Sequence, residues 1–185
     1  NNLIKELLKK IEIGTVIKQD ILENQVNSIY LGIGSNLGNK KINIEKAKYE
    51  LTLNGIKISK SSSYFESLSW PNPNNPKFLN IVLKVMTSLE PLSLLNKCKE
   101  IEKKIGRKKS FKNSPRVCDI DILDYNKRKM SHKMTLPHPR MHSRNFVLLP
   151  LFEINKHWIH PITKQHIKRL LLLLPNRDIT SIKQI

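Results

Sequence analysis

Cysteine is scarce in this chain: Cys98 and Cys118 are the only two among its 185 residues. Without a Cys-x-x-Cys pair they build neither a disulfide framework nor, by themselves, a zinc site, so a reducing compartment is expected. Long apolar runs are missing too. The longest, Leu170 to Leu174, falls far short of the roughly 20 residues that cross a bilayer. No basic-then-apolar signal pattern opens the chain, so the expectation is a cytoplasmic protein without a membrane partner. Acidic residues are the third shortage, with fifteen Asp and Glu against 33 Lys and Arg, a formal charge of +18. That excess invites a polyanion, and an RNA-binding module on an α+β sheet is the alternative reading it supports. Against it, the aromatic signature of such modules is absent, and the lysines are spread through every segment rather than gathered on one. Gly-x-Gly-x-x-Gly and Gly-Lys-Ser/Thr are absent as well, which removes the dinucleotide fingerprint and the P-loop.

What is present is concentrated between Gly106 and Tyr125. Val117, Cys118, Ile120, Ile122 and Leu123 are apolar β-formers bounded by Pro115 and by a polar segment from Asp124 to Lys129, and they read as a strand. Residues two apart on a strand share a face, so Asp119 and Asp121 project side by side about 7 Å apart while Ile120 and Ile122 enter a core. Two such carboxylates repel unless a hard cation lies between them, and Mg²⁺ suits one or two carboxylates plus phosphate oxygens. Arg107, Lys108, Lys109, Lys112 and Arg116 lie just before the pair. Carboxylates for a metal beside guanidiniums for phosphate are the two halves of a phosphoryl-transfer site.

The rest of the chain supplies a frame of about one domain, residues 28–185, preceded by an extension, 1–27, whose Leu3, Leu7, Leu8 and Ile11 fall at helical spacing. Ser28–Gly34 reads as a strand, and Gly32–Gly38 as a tight turn in which Ser35 or Asn36 bonds its own backbone. A helix over 39–53 follows, then a strand over 56–65. The loop from Ser67 to Lys77 carries three prolines and Trp70, an aromatic placed either to plug the edge of the core or to cap a ligand. In the strand 78–87, alternation puts Phe78 and Asn80 on one face and Leu79, Ile81, Leu83 and Val85 on the other. Phe78 and Asn80 together suit a planar heterocycle. Pro91 to Ile105 reads as a helix, with proline at its start and Gly106 at its stop, and Glu102 lies one turn from the basic cluster. His138 and His142 are separated by Pro139, which argues against a shared helical face and a zinc pair. His138, Arg140 and Arg144 make better sense as phosphate donors. Two further helices are expected, at 147–154 and 163–174.

Taken together, Tyr-Leu-Gly-Ile-Gly-Ser-Asn-Leu-Gly from Tyr30, Phe-Leu-Asn from Phe78, the helix ending Ile-Glu-x-x-x-Gly-Arg, Pro-Arg-x-x-Asp-Ile-Asp-Ile-Leu from Pro115, and Leu-Pro-His-Pro-Arg-Met-x-x-Arg-x-Phe-Val-Leu from Leu136 resemble, in order and spacing, the 6-hydroxymethyl-7,8-dihydropterin pyrophosphokinases of folate synthesis. The resemblance implies a ferredoxin-like α+β fold, an antiparallel sheet with helices on both faces. It implies a monomer that acts on ATP and a reduced pterin, with no nucleic acid, and releases AMP. By similarity, Asp119 and Asp121 would hold two Mg²⁺ ions, and Arg107 and Arg116 would neutralise charge in the transition state. Glu102, Lys109, His138 and Arg144, with the same two arginines, would bind ATP. Phe78 and Phe146 would sandwich the pterin, Asn80 would bond its edge, and backbone near Ser67 and Trp70 would add donors and acceptors. Asn113, Lys109, Lys112 and Leu68-Ser69 depart from the commoner residues of that pattern.

Overall fold

The computed structural model describes residues 27–108, 111 and 113–185, so the expected N-terminal helix, Lys109 and Lys112 lie outside the described residues. Six strands make one antiparallel sheet: β1 (Asn27–Ser35), β2 (Lys57–Ser61), β3 (Phe65–Ser67), β4 (Phe78–Thr87), β5 (Asp119–Tyr125) and β6 (Lys183–Gln184). Their order is β5-β1-β4-β3-β6, with β2 also paired to β4. β4 is long enough to take both partners, β3 along Phe78–Asn80 and β2 along Leu83–Met86.

The single strand expected over 56–65 is therefore two. Ser62 makes the break without leaving Val82 unpaired. Its N–H donates to the Val82 carbonyl at 2.9 Å, and its hydroxyl oxygen accepts the Val82 N–H at 3.0 Å in place of a ladder carbonyl.

Helices cover both faces. α1 (Lys40–Leu53) starts at Asn39, whose side chain accepts from the Ile42 N–H, and α2 (Pro91–Ile105) stops at Gly106 with φ +113°, a left-handed conformation that costs glycine little. Ile44, Ala47 and Leu51 of α1 and Leu94, Cys98 and Ile101 of α2 pack against Leu31, Ile33, Ile81, Leu83, Ile120 and Ile122 of the sheet. On the opposite face, α3 (Asn145–Ile154) and α4 (Ile167–Leu172) bury Val147, Leu148, Leu151 and Ile167 against Tyr30, Val82, Leu123 and Trp158. This is the α/β/α layering expected of the α+β class.

Alternation holds along β5 until Leu123. There the pairing with β1 shifts, so that Leu31 lies opposite Ile122 but Tyr30 opposite Asp124. The bulge puts Leu123 and Asp124 on one face. Asp124, expected in a polar turn, is instead buried, accepting from Trp158 Nε1 at 2.8 Å and from the Lys127 N–H at 2.9 Å.

The C-terminal part also differs from the expected 163–174 helix. α4 is six residues long and starts after His166, whose Nδ1 accepts from the Lys168 N–H. Beyond Pro175 come a short α5 (Asn176–Thr180) and β6, which pairs Lys183 and Gln184 with Glu66 and Phe65 of β3. Both cysteines are fully buried in the first core, and burial, with Glu102 adding, pushes each thiol up to about 12.

Candidate active site

The site opens on the α3 side of the sheet, where β1 carries glycine at two successive positions of that face, Gly32 and Gly34. Gly34 of β1 lies between Asn80 of β4 and Asp119 of β5, and Gly32 lies between Val82 and Asp121. Two strand spacings therefore separate the Asn80 and Asp119 backbones, about 10 Å. A Cβ on Gly34 would stand 3.1 Å from Asn80 Oδ1 and 3.4 Å from the Phe78 ring, so the bare backbone is what keeps this trough open.

One wall is acidic and basic at once. As strand alternation required, Asp119 and Asp121 share the trough face while Ile120 and Ile122 enter the first core. Arg107 Nη1 lies 2.5 Å from Asp119 Oδ1, and Arg116 Nη1 lies 3.1 Å from Asp119 Oδ2. Burial opposes the Asp119 charge, but Arg116 and then Arg107 outweigh it and hold the carboxyl below its usual range. Asp121 is more open, with Arg144 at 3.9 Å.

Behind this wall stands Glu102, only 2 % exposed. It accepts from the Ile120 N–H at 2.7 Å and Lys99 Nζ at 2.8 Å, and pairs with Arg107 Nη1 at 2.7 Å. Expected beside ATP, its carboxylate is instead turned inward, fixing the start of β5 and the Arg107 guanidinium. Burial works against the Arg107 charge, and Asp119 with Glu102 more than offsets it, raising the pKa above its ordinary value.

The segment before α3 supplies more positive groups. His138 is tied by its N–H to the Leu123 carbonyl at 2.8 Å, and its Nδ1 accepts from the Arg140 N–H. Burial lowers its pKa; Asp121 opposes this, and Arg144 and Arg140 add to it, so its surroundings disfavour the charged ring. Arg144 is likewise pushed down by burial and by Arg140. Its guanidinium carbon lies 5.4 Å from the centre of the Phe146 ring, and that of Arg116 lies 5.7 Å from the Phe78 ring. Each aromatic expected to grip a heterocycle thus abuts an arginine expected to grip phosphate.

The remaining expected residues divide in two. Asn80 Nδ2 donates to Ser67 Oγ at 3.0 Å and to the Phe65 carbonyl at 3.3 Å, so the Ser67 side chain is used in orienting the amide. Trp70 does not plug the core: it is 65 % exposed, and Arg140 lies 5.8 Å over its ring. Asn36 and Gly34 were not singled out by sequence as site elements. Asn36, expected to bond its own turn, instead bonds Ser69, Pro76 and Arg116.

Two carboxylates on one face, backed by glycine and flanked by guanidiniums, fit Mg²⁺. The donors are hard oxygens, and two are what Mg²⁺ takes from protein before phosphate and water complete its shell. Among the described residues, no group of three or more His, Cys, Asp or Glu forms a cage that would favour another metal.

Comparison with known proteins places the chain by family and by fold. The chain is 44% identical over 142 residues to a 2-amino-4-hydroxy-6-hydroxymethyldihydropteridine pyrophosphokinase of Aquifex aeolicus, covering 76% of this chain and 88% of that protein. It is 38% identical over 160 residues to a folic acid synthesis protein of Pneumocystis carinii, covering 85% of this chain but 22% of that much longer protein. In fold it matches the crystal structure of Plasmodium falciparum HPPK-DHPS A437G/K540E with pterin and p-hydroxybenzoate, with a TM-score of 0.67 at 16% identity, over 86% of this chain and 47% of that one. The family model for 7,8-dihydro-6-hydroxymethylpterin-pyrophosphokinase (HPPK) matches residues 30–156, and with the Aquifex likeness this shows that the chain belongs to that family.

Proposed function

We propose that the glycine-floored trough is where this pyrophosphokinase of folate synthesis carries out its transfer. The observation that carries this is the alignment of Asn80, Gly34 and Asp119 in one row across three strands, a heterocycle-binding amide and a phosphate-side carboxylate separated only by backbone. The pterin lies against Phe78 and Phe146, with the Asn80 amide at its edge. Its hydroxymethyl oxygen attacks the β-phosphorus of ATP and gives up its proton to solvent, the bond from that phosphorus to the α,β-bridging oxygen breaks, and AMP leaves with the oxygen.

Asp119 and Asp121 would hold Mg²⁺, which when bound neutralises triphosphate charge. Arg116 and Arg107 would then serve the phosphate oxygens while Glu102 keeps Arg107 in place. Arg144 and His138 serve as donors to ATP, His138 offering its Nε2 proton because Nδ1 already accepts from the Arg140 N–H. Lys109, outside the described residues, is assigned to ATP by family resemblance alone. Trp70, being exposed, serves at the rim of the pterin pocket, where its loop backbone is available.

Incubation with ATP, Mg²⁺ and the reduced pterin is expected to give AMP and the pterin diphosphate, identified by mass; ADP as the nucleotide product would overturn this reading. Phe146→Ala is expected to raise KM for the pterin about tenfold, in line with the value of a well-placed aromatic contact, while KM for ATP changes little. The opposite pattern would move the ring pocket elsewhere. Gly34→Ala is expected to raise KM for the pterin by at least as much, because the new methyl displaces Asn80 or Phe78, at a cost of about 1–3 kcal/mol in denaturant unfolding.

A further inference from the structure

Asn36 is 3 % exposed, and three of its polar groups make four hydrogen bonds to residues distant in sequence. Its N–H donates to the Arg116 carbonyl at 3.1 Å, and its Oδ1 accepts the Arg116 N–H at 2.7 Å, so both backbone groups of Arg116 end on this residue. Its Nδ2 donates to Ser69 Oγ at 3.2 Å and to the Pro76 carbonyl at 3.1 Å. Ser69 Oγ in turn donates to the same carbonyl at 2.6 Å, closing a small, partly buried ring. The amide can face only one way. The Arg116 N–H can only donate and the Pro76 carbonyl can only accept, so a flipped side chain would set N–H against N–H and oxygen against oxygen.

These partners belong to the two halves of the site, which meet where the Arg116 guanidinium lies 5.7 Å from the Phe78 ring. Arg116 pairs with Asp119 on the phosphate side. Ser69 and Pro76 belong to the loop that runs directly into Phe78 and Asn80 on the pterin side. We propose that Asn36 is a positioning residue for the transfer, one amide that sets Arg116 and the 68–77 loop in a common frame, with Ser69 as its partner on the loop. The two substrates must meet within a few tenths of an ångström, and a side chain hydrogen-bonded to both halves removes their independent motion. This inference rests on the assignment of the two sides given above.

Asn36→Asp separates the two arms. The carboxylate still accepts from the Arg116 N–H, but it turns an oxygen instead of an N–H toward the Pro76 carbonyl, which breaks the tie to the loop. The expected result is a rise of about tenfold in KM for the pterin, with kcat and KM for ATP held within about threefold. Asn36→Ala removes both arms and is expected to lower kcat about tenfold in addition. Adding Ser69→Ala to Asn36→Asp is expected to change KM for the pterin less than twofold, because the same arm is already broken. Equal effects of Asn36→Asp on both KM values, or none on either, would overturn the inference while active wild-type protein leaves the functional reading intact. Absence of AMP formation by the wild-type chain would instead remove the functional reading itself. If Asn36→Ala does not fold, Asn36→Asp and the Ser69→Ala pair decide the matter alone.

Discussion

Asp121→Asn is expected to lower turnover roughly a thousandfold, about 4 kcal/mol of transition-state stabilisation, with the unfolding midpoint nearly unchanged. The two halves of this expectation have separate physical grounds. Asp121 is partly exposed and meets Arg144 only at 3.9 Å, an ion pair that contributes little to the fold. Its place beside Asp119 over a bare glycine floor gives it one evident use, holding a cation against phosphate, and an amide carries no charge for that task. Asp119→Asn is expected to remove activity as thoroughly and to lose stability too, since Arg107 and Arg116 both rest on that carboxylate. Because its folded pKa is depressed, the stability it gives is present above the unfolded value of about 3.9 and is lost as pH falls toward the folded one. AMP release measured over a range of Mg²⁺ concentrations checks the kinetic half. Retention of a tenth or more of wild-type turnover by Asp121→Asn would dismiss the metal assignment.

The largest stability loss is expected from Glu102→Ala. The glutamate is almost wholly enclosed, and its oxygens serve the Ile120 N–H, Lys99 and Arg107 together. Truncation leaves a buried N–H without an acceptor, Lys99 without its partner and Arg107 with Asp119 alone, which costs about 3 kcal/mol. For a domain held by about 5–15 kcal/mol in all, that is a large share. Urea unfolding measures it directly, and a midpoint shift worth less than about 1 kcal/mol would show that water replaces the carboxylate without strain. Activity is expected to fall as well, because Arg107 keeps Asp119 but loses the group that holds it from behind. Glu102→Gln, which keeps an acceptor for the Ile120 N–H, is expected to fall between the two in stability.

How far these features could be read from the residues depended on whether local rules decided them. The shared face of Asp119 and Asp121 follows from strand periodicity, and the α2 boundaries from Pro91 and Gly106, so both were legible. Asp124 was not, because a one-residue bulge at Leu123 reverses the alternation and carries an aspartate inside, where Trp158 meets it. The Ser62 break was hidden for a similar reason: a serine hydroxyl can replace a ladder carbonyl, and nothing in the composition of 56–65 shows where that happens. β6 depends on pairing with Glu66 and Phe65 more than a hundred residues earlier, information no window of sequence contains. Glu102 could be placed near the basic cluster by helical spacing. Whether it faced ligand or core was settled only when α2 packed on β5. The amide of Asn36 satisfies the demands of an Asx turn on paper, and only the tertiary fold shows that it serves two distant segments instead, the loop carrying Ser69 and Pro76 and the backbone at Arg116.

The two enclosed thiols give the protein an internal clock. Cys98 sits on the inner side of α2 and Cys118 at the entrance to β5, and with their protons held this firmly neither reacts while the core is shut. A soluble disulfide reagent therefore marks only those moments when the layer between α2 and the sheet parts, and the rate of marking measures how often that occurs. A substrate seated against β5, as proposed above, is expected to slow the marking in proportion to how tightly it is held, so that occupancy could be followed on the unaltered chain without a label.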